Sequence, residues 1–185
     1  MNSEKQKQNA TFTAPNQSAN GFLFIIAQYI LRVFVIAFTL AGAIITATAY
    51  ESVNVFGIVM DAKYTYSTAF RFKVVADSVV CGLSVLSVVI LNALNSPKSN
   101  PKNYFYLFLH DLVSLLLLVS GCSSGLAIGF VALFGQQKRG WIPICFRVQQ
   151  YCLKTTVGIV STFIAVVCLH LLVVLSAYKL KSARI

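Results

Sequence analysis

Acidic residues are scarce in this sequence: five Asp and Glu stand against fifteen Lys and Arg in 185 residues. Charge of either sign is thin at 11% of the chain, against roughly 25% in an average globular protein. So little charge beside 57% hydrophobic residues argues against an ordinary soluble domain. The five cysteines form no CxxC or Cys/His zinc spacing, so no metal site is expected. No GxSxG, P-loop or HExxH motif occurs, and no nucleophile is spaced with a base, so no enzyme activity and no cofactor are expected. The net charge of +10 is scattered over loops and tails without a basic stripe, which argues against nucleic acid and for contact with membrane lipids.

Long apolar runs are what the sequence does contain. A membrane span needs about 20 mostly apolar residues. Four runs qualify, near Phe22–Ala49, Val74–Leu94, Tyr104–Phe134 and Leu153–Tyr178. The expected fold is an all-α membrane protein, a four-transmembrane-helix bundle over residues 22–178. A disordered polar tail over 1–21 precedes it and a short tail over 179–185 follows. The first run resembles a signal peptide ending at Ala47-Thr48-Ala49, but it is too long for a signal core and contains Arg32.

Four spans put both termini on one side. The basic residues divide evenly between the two sides, so the positive-inside rule does not orient the chain. Arg71 and Lys73 are expected to snorkel at the end of the second span. Cys145 and Cys152 flank "FRVQQY" in the last loop, either as a disulfide on the oxidising face or as two free thiols. The disulfide reading makes the termini cytosolic. Glycan on Asn9 or Asn16, both acceptor sites by sequence, would reverse that.

An ionisable residue at membrane depth is expensive and needs a partner. Arg32 lies within "QYILRVFVIAF", and Asp111 is the one acid well inside another run, Asp77 lying nearer a span end. Eight and seven residues into parallel helices, both fall roughly 10–12 Å from the same boundary. Helical periodicity groups Gln28, Arg32, Thr39, Gly42, Ala43 and Thr46 on one face of the first helix. It groups Asp111, Ser114, Leu118, Gly121, Gly125 and Gly129 on one face of the third. These two small or polar faces are expected to meet, with the glycines serving bundle packing or oligomer contacts. The charged pair is read as a structural lock or as part of an ion or proton route. His110 and His170 are read as hydrogen-bonded packing residues. In the first loop, Glu51 and the aromatics Phe56, Tyr64, Tyr66, Phe70 and Phe72 suit either the membrane interface or a partner. Trp141 and Pro143 are expected to fix a small cap near Cys145.

Arg32, "ES" at Glu51-Ser52, "YSTAFRFKVVAD", Asp111 and "WIPIC…YC", in that order, resemble the Casparian strip membrane domain protein-like (CASP-like) family of plants, distantly related to MARVEL-domain proteins. The resemblance runs from Phe22 onward. It departs at Asp77, where the family commonly has asparagine, and the first loop lacks the signature of the members that build the endodermal strip. It implies a MARVEL-like four-span plasma-membrane protein. It further implies a chain that forms homo- and hetero-oligomers with itself and related members and scaffolds a membrane domain, with cell-wall-modifying proteins among its partners. From the loop residues themselves, Glu51, Tyr64, Phe70 and Trp141 are the candidate loop contacts. A small transporter or channel subunit using the Arg32–Asp111 pair is the alternative.

Overall fold

The computed structural model describes residues 14–55, 58–94, 102–136 and 140–182. Among them are four helices long and apolar enough to cross a membrane. These are α1 (Ala14–Ala47), α2 (Thr68–Leu94), α3 (Lys102–Phe134) and α4 (Gln149–Ser182). The tail expected over 1–21 falls partly outside the described residues, and its last part, from Ala14, is helical. The polar residues there lack apolar periodicity, yet Pro15 is compatible with a first helical turn, where its missing N–H is no loss. The turn expected at 95–103 falls mostly outside the described residues.

The second helix starts six residues before the expected Val74, because the charges Arg71 and Lys73 end an apolar run without ending a helix. The fourth starts at Gln149 rather than Leu153, which brings Tyr151 and Cys152 into its first turn. The first loop is also more ordered than expected. Tyr50–Val55 (β1) and Ile58–Lys63 (β2) pair antiparallel, with Tyr50 opposite Lys63, and a 3-10 turn at Tyr64–Tyr66 leads into α2. On the same end, α3 stops at Gly135, whose φ of 69° is the left-handed conformation that suits glycine at a helix C-terminus. A Cβ there would stand 2.6 Å from the Trp141 carbonyl oxygen. Gln136 then bridges to Trp141, turning the chain back over the helix ends.

Each helix packs on two neighbours: α1 and α3 both touch α2 and α4 and lie diagonally across the bundle. The expected face-to-face packing of α1 on α3 is therefore corrected. Periodicity tells which residues point inward, and those of the first helix do (Gln28, Arg32, Thr39, Ala43 and Thr46 are buried), but it does not tell which helix they meet. Gly42 instead sits where α1 crosses α4, with an added Cβ 2.6 Å from Thr162 Oγ1 and 3.2 Å from the Gly158 carbonyl oxygen. Gly121 packs on Ala76 of α2, while Gly125 and Gly129 face Ile159 of α4, Gly125 also touching Lys73. Outward, Val33, Leu116, Val89 and Phe163 are exposed, as expected where lipid is the solvent.

Candidate functional site: two interior ion pairs and an end cap

Arg32 and Asp111 reach each other across the bundle diagonal. Arg32 donates from Nη1 to Asp111 Oδ1 at 3.0 Å and from Nη2 to Oδ2 at 2.8 Å, a two-pronged geometry that suits guanidinium and carboxylate. Ser87 of α2 accepts from Arg32 and donates to Asp111 Oδ1 at 3.4 Å. The long arginine side chain makes the diagonal reach feasible. Gln28, one turn below, contacts Ser176 of α4 at 3.5 Å.

A second interior pair, which the sequence reading missed, lies toward the hairpin end. Hydropathy puts Asp77 near a span end and predicts a snorkelling Lys73, whereas both are fully buried. Lys73 Nζ is 2.7 Å from Asp77 Oδ2. The ammonium also donates to Thr46 Oγ1 at 3.1 Å and to the Gly42 carbonyl at 3.4 Å, and Thr162 Oγ1 donates to the same Asp77 oxygen at 3.0 Å. The available signal was the four-residue spacing of Lys73 and Asp77, which puts opposite charges on one helix face.

The ten residues from Asp77 to Ser87 along α2 separate the two pairs by about 15 Å. Between them all four helices contribute apolar side chains, with Val35, Val80, Leu118 and Ala165 fully buried in one cluster. The interior thus alternates: ion pair, apolar layer, ion pair. Only the first pair joins charges on two helices, so sliding α1 against α3 would part Arg32 from Asp111, whereas the second pair lies within α2 and gathers hydroxyl and carbonyl groups of α1 and α4 around it.

The histidines differ from expectation. His110 has no hydrogen-bond partner on either ring nitrogen among the described residues, and its Nδ1 lies 3.6 Å from Asp111 Oδ1. His170 lies exposed on the outer face of α4, since its position on the helix turns it away from the core. No group of three metal-ligating side chains occurs among the described residues.

At the hairpin end, Cys145 and Cys152 are joined by a disulfide with Cα atoms 5.6 Å apart. Glu51 caps α4: its Oε2 accepts the Tyr151 backbone N–H at 2.8 Å, tying β1 to an N-terminus whose free N–H groups attract negative charge. The candidate loop contacts therefore divide. Phe70 belongs to α2 and is buried edge-on against Tyr151, ring centroids 6.3 Å apart, because the helix begins before it. Tyr64 packs on the same cluster. Glu51 is used internally. Only Trp141 of the four is broadly exposed, in company with Ile142, Ile144 and Phe146. On β2, Lys63 is 3.4 Å from Asp61 Oδ2, whose hydrogen bond and charge raise the lysine pKa above its ordinary value.

The model of the Casparian strip membrane protein domain matches residues 23–168, a span that holds both ion pairs and the whole cap. CASP-like protein 1F1 of Ricinus communis is 42% identical over 163 residues, covering 88% of this chain and 91% of its own length. CASP-like protein 1F2 of Vitis vinifera is 41% identical over 158 residues, covering 85% and 82%. CASP-like protein 1F2 of Populus trichocarpa is 33% identical over 181 residues, covering 98% and 97%. No solved structure matches the chain significantly.

Proposed function

This chain belongs to the CASP-like family of plant multi-pass membrane proteins, as the residues from Phe22 onward led one to expect, and from that premise we propose that it is a non-enzymatic, oligomerising scaffold of the plasma membrane. In this reading both termini are cytosolic and the disulfide-bonded cap faces the wall. The bundle associates with copies of itself and of related members, and the cap recruits partners such as cell-wall-modifying proteins.

The observation that carries the reading is how the interior charges are used. Arg32 is matched by Asp111 and Lys73 by Asp77. The packed layer of Val35, Val80, Leu118 and Ala165 lies between the pairs. A solute crossing the bundle would have to break both pairs and part that layer, so the charges favour holding helices over lining a route. The surfaces left for action are the outer helix faces and the cap.

The test measures oligomer size in native membrane, lateral diffusion of the labelled protein, and ion flux in proteoliposomes. Self-association with slow diffusion and no flux is the expected result. Flux abolished by Asp111→Asn, with folding and assembly intact, would sink the scaffold reading in favour of a transporter. Protease protection of terminal tags checks the orientation separately.

A further inference from the structure

The cap does not close onto the bundle. Between the hairpin and the disulfide loop lies a cavity of about 490 Å³. Its walls come from Tyr66 and Phe70 on one side, Ile128 and Ala132 of α3 below, and Trp141 and Tyr151 on the other. A second cavity of about 170 Å³ continues it down the outer seam of α3 and α4, past Gly129 and Phe130 to Leu126 and Val160. The two share Phe70, Ala132, Tyr151 and Cys152 in their walls, and Gly129, which has no side chain, leaves the lower one open. The two adjoining cavities, taken together as one apolar channel, run from the helix ends down to exposed residues of α3 and α4.

Among the described residues, charge lines only its upper end. Asp61, Lys63 and Arg147 line the upper cavity. Asp61 is already met by Lys63 at 3.4 Å and by the Tyr50 hydroxyl at 3.2 Å. Arg147 is exposed and its guanidinium has no partner among the described residues. The rim therefore carries one uncompensated positive charge above an apolar shaft. That pattern, a positive charge above an apolar shaft at the end of the membrane-spanning helices, is amphipathic in the same sense as an anionic phospholipid.

We infer that the cap and the α3/α4 seam form a binding site for one anionic phospholipid of the leaflet at the cap, its phosphate on Arg147 and an acyl chain in the channel past Ala132 and Gly129. The inference goes beyond the scaffold reading and stands whether or not the chain oligomerises. It gives the exposed Trp141 and Ile144 a role as the apolar lip over which the lipid enters.

The test equilibrates the full-length protein in detergent with equal amounts of phosphatidylglycerol and phosphatidylcholine, and reads retained lipid by native mass spectrometry. The expected result is preferential retention of phosphatidylglycerol, with the preference lowered about fivefold by Arg147→Gln, the worth of one basic residue at an anionic surface. Ala132→Phe, which fills the channel where the two cavities join, should lower retention of both lipids. Should that variant fail to fold, Ile128→Trp obstructs the upper cavity from a partly exposed position. Excess inorganic phosphate should leave the lipid in place. Equal retention of the two lipids, or a preference unchanged by Arg147→Gln, would overturn the proposal. So would retention unaffected by either filling variant, which would put the lipid on the outer helix faces. Displacement by inorganic phosphate would reduce the site to an anion site, and a second copy cross-linked through Trp141→Cys with lipid excluded would make it a protein interface.

Discussion

Lys73 and Asp77 lie one turn apart on α2, their charged atoms 2.7 Å apart and neither side chain exposed. On a solvated helix such a pair contributes only a few tenths of a kcal/mol. Here Thr46 and Gly42 of α1 accept from the ammonium and Thr162 of α4 donates to the carboxylate, so one intrahelical pair joins three helices. Arg32 and Asp111 make the complementary joint, between α1 and α3 with Ser87 of α2. Between them the two joints reach all four helices: α1 and α2 take part in both, α3 in the first and α4 in the second.

Removing one member of the Lys73–Asp77 pair strands the other in a low-dielectric interior. Lys73→Met or Asp77→Leu is expected to destabilise the bundle by about 3–5 kcal/mol, and the double replacement to recover much of the loss. Asp77→Asn should be milder, because an amide oxygen still accepts from Lys73 and Thr162. Thermal unfolding of the detergent-solubilised protein, followed by size exclusion, orders the four variants. An Asn variant as damaged as the Leu variant would contradict the hydrogen-bonded geometry.

For the diagonal pair, Arg32→Leu or Asp111→Leu alone should lower surface expression sharply, and the double apolar replacement should restore part of it. The quantity to measure is the coupling in a double-mutant cycle, expected at about 1–3 kcal/mol for residues in direct contact. Strict additivity would mean that the two side chains act separately.

The first pair was legible in the sequence and the second was not, for a physical reason. Asp111 stands alone inside an apolar run, so Arg32 had a single depth-matched partner to find. Lys73 and Asp77 lie beside Arg71 at the start of a helix, where hydropathy falls and a span reads as ended. Burial there comes from Thr46, Gly42 and Thr162 on other helices, which no local window contains. The inward faces of α1 and α3 followed from the 3.6-residue period, whereas their diagonal placement depends on the packing order of four helices. The β-hairpin was hidden likewise, since Tyr50–Lys63 reads as an aromatic, mixed-polarity loop until its two halves are seen to pair.

Close crossing of α1 and α4 depends on two glycines. A methyl group on Gly42 would stand 2.6 Å from Thr162 Oγ1, and one on Gly158 would collide with Thr46 Oγ1. Gly42→Ala and Gly158→Ala should therefore each destabilise by about 1–3 kcal/mol through overpacking, disturbing the Lys73 site at the same time. Gly82, with nothing within 4 Å of an added Cβ, is the internal control. Gly82→Ala should be neutral or stabilising by up to about 1 kcal/mol, since alanine favours the helix. Melting temperatures of the three variants, measured side by side, decide the point.

The cap is held by two ties that should fail locally rather than globally. The Cys145–Cys152 disulfide closes a short loop, separation 7, for which chain entropy gives about 2–3 kcal/mol. Glu51 adds a charge-assisted cap on the Tyr151 N–H, worth about 1 kcal/mol. Both ties act on the segment between α3 and α4, while the ion pairs hold the helices below. Cys145→Ser with Cys152→Ser, or Glu51→Gln, should thus raise the rate of proteolytic nicking at 136–148 several-fold while leaving the unfolding temperature of the bundle nearly unchanged. Combining the three substitutions should nick faster than either alone, because the disulfide and the carboxylate tie the first turn of α4 to two different partners, Cys145 and β1. A bundle that instead unfolded early on losing the disulfide would mean that the cap, and not the interior charges, sets its stability.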